Sequence, residues 1–109
     1  MFVNEFKSIY DIANEYNADI VPLLQNSVIH LAWYGYGSWS GCSWVIYEHE
    51  GKLYEVNAAH CSCYGLEGQW KPEETSWKAI AIRKFDDFEY DGGTTVNEYV
   101  QQLCKQHII

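Results

Sequence analysis

Six residues carry the types and spacings that could hold a transition metal. His60, Cys61 and Cys63 form one tight run, Cys42 lies upstream, and Cys104-x-x-His107 closes the chain. Thiolate and imidazole suit zinc, and four of them in a tetrahedron make a closed structural site. Two ligand sets are open. Cys61 and Cys63 join Cys104 and His107 if the last helix returns beside them, or they join Cys42 and His60. The competing reading is of small buried thiols that happen to lie near a turn. A cysteine nucleophile fits less well. It needs a thiolate helped by an imidazole or a helix N-terminus. Acidic surroundings push a thiol pKa up, against that need.

The elements that must position these residues can be read from hydrophobic spacing. Residues 5–16 recur at helical period through Phe6, Ile9, Tyr10, Ala13 and Tyr16, and Asn17 ends that run. Residues 27–34 form a short apolar run of β-formers, with His30 inside it as a hydrogen-bonded core histidine. Residues 43–49 and 52–59 form a hairpin about Glu50-Gly51, because a two-residue turn needs the positive φ that Gly51 supplies. Pairing about that turn sets Cys42 near Ala59 and His60. The segment from His60 to Trp70 is too glycine-rich for a helix and too irregular for a strand. It reads as the joint between the hairpin and a helix over residues 73–84, begun by Pro72-Glu73-Glu74. Residues 77–82 admit a strand as well. A last helix follows Thr94-Thr95, with Val96, Tyr99, Val100 and Leu103 on its inner side.

The chain has 109 residues, enough for one domain with a real core. The expected class is α+β: a small antiparallel sheet of about three strands with a central hairpin, packed against helices from both ends and from residues 73–84. The net charge is −8. Such a surface repels phosphate backbones and is drawn to basic clefts, so direct nucleic-acid binding is disfavoured and a basic protein partner is favoured. No basic leader precedes a long apolar run, and no stretch approaches the roughly 20 apolar residues of a membrane span. The expected setting is a reducing cytoplasm, in which cysteines stay thiols or metal ligands.

Two stretches could meet a partner. Asp86, Asp87, Glu89 and Asp91 alternate with Phe88 and Tyr90, an acidic strip that suits Arg and Lys with apolar gaps between them. Tyr36 and Trp39 stand among glycines in an aromatic loop, as anchors of the kind that dominate interfaces. The plainer readings are a solvated linker and a wide turn. The carboxylates Glu73 and Glu74 read as helix-start charge, and Glu48, Glu50 and Glu55 as hairpin charge, rather than as acid–base catalysts.

The runs Gly51-Lys52-Leu53-Tyr54-Glu55-Val56-Asn57, His60-Cys61-Ser62-Cys63-Tyr64-Gly65-Leu66-Glu67-Gly68-Gln69-Trp70 and Pro72-Glu73-Glu74-Thr75 resemble a family of small proteins encoded by phages and prophages, most of unassigned role. The resemblance covers about a third of the chain and leaves out Cys104 and His107. In size, charge and thiol content the chain is similar to zinc-holding anti-CRISPR proteins. That likeness implies a non-enzymatic inhibitor with structural zinc, whose acidic surface binds the basic nucleic-acid channel of a CRISPR effector nuclease in the host cytoplasm. It would act as a monomer or small homo-oligomer. The alternatives are a small metal-dependent or thiol enzyme, or a virion or assembly protein.

Overall fold

The computed structural model describes residues 2–4, 6–36, 41–60, 65–82 and 96–107. One sheet holds β1 (Phe2–Asn4), β2 (Val28–Tyr36), β3 (Gly41–His49), β4 (Lys52–His60) and β5 (Glu73–Thr75), in that spatial order. β1 runs parallel to β2; the other neighbours pair antiparallel. The helices are α1 (Ile9–Tyr16), α2 (Val21–Gln25), α3 (Trp77–Ala81) and α4 (Val96–His107). The class is the expected α+β with its central hairpin. The sheet is wider than three strands because a three-residue strand is added at each edge.

The hairpin turn is the one the sequence specifies. Glu50 and Gly51 both take positive φ, 51° and 80°, and His49 pairs with Lys52. Two residues with positive φ twist the chain the way the flanking strands twist. The register then runs unbroken to Cys42 opposite Ala59 and Gly41 opposite His60.

Alternation along β3 divides the core in two. Ser43, Val45 and Tyr47 face one side, where Ile12 and Tyr16 of α1 and Leu24 of α2 cover them. Cys42, Trp44 and Ile46 face the other, under Ile80 of α3 and Val100, Leu103 and Cys104 of α4. Both faces of the central strand are therefore buried, which is why β3 reads as an almost continuous apolar run. The result is three layers, helices–sheet–helices.

Local signals set the helix ends. The Asp11 carboxylate accepts from the backbone N–H groups of Lys7 and Ser8, at 2.9 and 3.1 Å, and neutralises the open start of α1. Asn17 ends it in the left-handed conformation.

Residues 73–84 depart from the single helix expected of them. Glu73–Thr75 is β5, paired with Leu53–Glu55, and the helix begins only after Ser76. Pro72 suits a helix start, but an edge strand tolerates it equally well. Ser76 supplies the true cap: its Oγ accepts from the Ala79 N–H at 3.2 Å.

β2 carries one irregularity. Ile29 pairs with Tyr47 and Leu31 with Ile46, so His30 is an extra residue in a bulge. A bulge redirects side chains. Ile29 packs on the α1–α2 side and Leu31 on the α3–α4 side. His30 meets Trp77 of α3 and His107 of α4.

Candidate functional site

Of the six metal candidates, Cys61 and Cys63 lie outside the described residues, as does the side chain of His60. Cys42 and Cys104 are both buried in the core beneath α3 and α4, at 3% and 4% exposure. Cys104 Sγ donates to the Trp77 carbonyl oxygen at 3.8 Å, and burial pushes its thiol pKa up. His107 stacks on Trp77. The Cys104-x-x-His107 pair is thus engaged with α3. Among the described residues no three His, Cys, Asp or Glu side chains are grouped to hold a metal ion. A thiol with a raised pKa beneath two helices is a poor nucleophile, so thiol chemistry through Cys104 lacks both charge and access.

The acidic strip of Asp86, Asp87, Glu89 and Asp91 also lies outside the described residues, with Trp39 and the Tyr36 side chain. Of the carboxylates that the structure does place, Glu55 lies on β4, Glu73 and Glu74 on β5, and Glu67 in the segment joining them. Glu73 and Glu74 are exposed on the edge strand, Glu50 on the turn and Glu67 in the connection, against the exposed Lys52 and Lys71.

This edge is firmly built. Leu66 is fully buried, and Trp70 stacks on Tyr47 (5.9 Å between centroids) and meets Tyr16 edge-on (5.1 Å). Gln69 ties the connection back to β4. Its Oε1 accepts from the Ala59 N–H at 3.3 Å, while its Nε2 donates to the carbonyls of Ala59 at 2.9 Å and Gly65 at 3.0 Å. A side-chain amide that mimics a strand's backbone in this way fixes where β5 returns.

Between the connection and the strands lies a cleft of about 320 Å³, lined by Glu55, Asn57, Gln69, Lys71 and Glu73. Glu55 is 1% exposed and forms its inner wall, and Glu73 is its cross-strand partner in β5. Directly paired residues project from the same face, with Cβ atoms about 5 Å apart. Asn57, two positions along β4, donates from Nδ2 to Glu55 Oε1 at 2.6 Å. A carboxyl so deep in a domain is retained only with hydrogen-bonded partners. The lining contains acceptors and one ammonium but no thiol, hydroxyl or imidazole. Its carboxylates are acceptors suited to a cation.

Glu55 was expected as solvated hairpin charge, but the register pairs it with Ile46 on the α3–α4 side of the sheet, where it is buried. Glu73 was hidden, because the helical reading of 73–84 removed it from the sheet.

Among the described residues no helix is long and apolar enough to cross a membrane. The chain matches no protein-family model, no curated protein and no solved structure.

Proposed function

We propose that this chain is a non-enzymatic binding protein of the phage-inhibitor kind, anti-CRISPR-like, which docks an acidic surface on the basic nucleic-acid channel of a CRISPR effector nuclease. The observation that supports this most is the acidic edge. Glu73 and Glu74 are exposed on β5, an edge strand of the sheet, in a chain whose net charge is −8. Carboxylates on an ordered strand can occupy phosphate positions in a basic groove without first paying to order themselves. The sign of the field also steers the protein towards such a groove. A short acidic edge strand additionally resists pairing with other sheets, which keeps the surface free for side-chain recognition. Structural zinc belongs to the same proposal, with Cys61 and Cys63 as ligands that close the connection after β4.

Guide-loaded effector nucleases of several types, assayed for DNA cleavage with increasing amounts of the protein, test this reading. Inhibition of one type, relieved by excess target duplex, is expected. Full cleavage by every type at saturating protein would refute it.

A further inference from the structure

A groove of about 660 Å³ runs along α1 and the turn that follows it. Its floor is Ala13 and Ala18, which pack on the core beneath. Two small side chains there leave a hollow between larger neighbours. Tyr10, in the first turn of α1, is 61% exposed, and its hydroxyl accepts from Gln25 Nε2 at 3.5 Å. Asn17, at φ 49°, turns the chain out of the helix, and the Ala18 N–H then donates to the Ala13 carbonyl at 3.1 Å. That turn brings Asp19 to the groove. The lining therefore holds the carboxylates of Asp11 and Asp19, the carboxamides of Asn14 and Asn17, and no Lys or Arg. The C-terminal end of α1 adds negative charge from its carbonyls, and its last turn has no basic residue to offset it. Among the described residues the side chains of Asn14, Asn17 and Asp19 make no hydrogen bond or ion pair.

We propose that this groove receives a basic, arginine-bearing segment of a protein partner. That the segment belongs to such a partner rests on the function proposed above; the preference for basic side chains rests on the groove alone. Charge complementarity sets the sign of the occupant, and the same charge turns away a phosphate backbone. The exposed ring of Tyr10 narrows its kind, because a planar guanidinium stacks on an aromatic face better than a compact, strongly hydrated ammonium does. Asn14 and Asn17 each donate and accept, and so match the N–H and C=O groups of the segment's own backbone. The volume lies within the range of ligand pockets and exceeds what one side chain fills, so backbone enters with the arginine. Tyrosine and arginine are also the residues that most often anchor interfaces.

The test is an amide-resolved NMR titration of the whole chain with three capped tripeptides: Arg-Ala-Arg, Lys-Ala-Lys and the neutral citrulline-Ala-citrulline. The arginine peptide should give saturable shifts confined to the amides of residues 10–19. The lysine peptide should bind about threefold more weakly, and the citrulline peptide should give none of these shifts. Tyr10 and Asp19 are exposed, so their variants keep the fold. Tyr10→Leu and Asp19→Asn should each weaken the arginine peptide about threefold, while Tyr10→Phe, which keeps the ring, should bind it as the natural protein does. Equal binding of the arginine and citrulline peptides, no shifts at these amides, or indifference to both Tyr10→Leu and Asp19→Asn would overturn the proposal. Shifts at the same amides that follow protein concentration without peptide would assign the groove to a second copy of the chain, and would overturn it too. The two readings fail separately. Peptide binding in the groove of a protein that inhibits no nuclease removes the proposed function alone. Nuclease inhibition by a protein whose groove ignores the arginine peptide removes the groove alone.

Discussion

The imidazole of His107 lies flat on the indole of Trp77, 4.3 Å between centroids and 4° from parallel. These are the last residue of α4 and the first of α3, so the stack joins the far ends of two helices that otherwise meet through Ile80, Val100 and Leu103. His30 meets both rings edge-on at 5.0 Å and places its Nε2 3.3 Å from Glu48 Oε1. The bulge in β2 is what brings His30 into this corner.

The stack should appear as a coupling energy. His107→Ala should cost about 1 kcal/mol in urea unfolding, since aromatic pairs contribute about 0.5–1.5 kcal/mol beyond their burial. In the Trp77→Ala background the same change should cost much less. Additive effects of the two substitutions would show that the rings lie together without stabilising the fold.

The hydroxyl of Tyr16 donates to Ser43 Oγ at 2.9 Å, and both residues are buried between α1 and the sheet. Removing one partner strands the other in the core. Ser43→Ala should therefore destabilise by about 1–3 kcal/mol, whereas Tyr16→Phe with Ser43→Ala should cost less than the sum of the single changes. Chemical denaturation of the three variants measures this directly.

Alkaline pH should unfold the domain by a specific route. Burial, and then the neighbouring Tyr54, push the Tyr47 hydroxyl from 10.0 up to about 12, and burial raises the Tyr16 hydroxyl as well. The folded state thus keeps these protons after the unfolded chain has lost them. Their stabilisation is complete below pH 10 and is lost as pH rises through the folded values. Cys104, raised from 9.0, acts in the same direction from a slightly lower pH. Urea midpoints should fall between pH 10 and 12, and less steeply in Tyr47→Phe. Identical slopes for the two proteins would contradict this.

Much of the fold was legible because single residues dictate it. Gly51 fixed the turn, the turn fixed the register, and the register correctly paired Cys42 with Ala59. Asn17 marked the end of α1 for the same kind of local reason. What escaped was short or non-local. β1 and β5 have three residues each, too few for alternation to show, and Pro72-Glu73-Glu74 fits a helix start as well as an edge strand. The bulge at His30 depends on pairing that no local pattern reveals. As for the site, Glu55 read as solvated hairpin charge because it lies four residues from the turn, and only its pairing with Ile46 shows that it is buried. Its partner Glu73 became visible only once β5 was in place.

Zinc held by Cys61 and Cys63 predicts metal that purifies with the protein. One zinc ion per chain is expected, and both chelator treatment and Cys61→Ser with Cys63→Ser should lower the urea midpoint together with zinc content, because a structural metal contributes its binding energy to folding. Zinc-free protein with an unchanged midpoint in the double variant would remove zinc from the account.

The acidic edge itself is tested most directly by the affinity for the inhibited effector nuclease as a function of salt, measured for the natural protein and for Glu73→Lys with Glu74→Lys. Affinity for the natural protein should fall by about tenfold or more between roughly 50 and 300 mM salt, and the charge-reversed protein should bind at least about tenfold more weakly at the lower salt. An affinity indifferent to salt and to reversal of both glutamates would contradict docking through this edge.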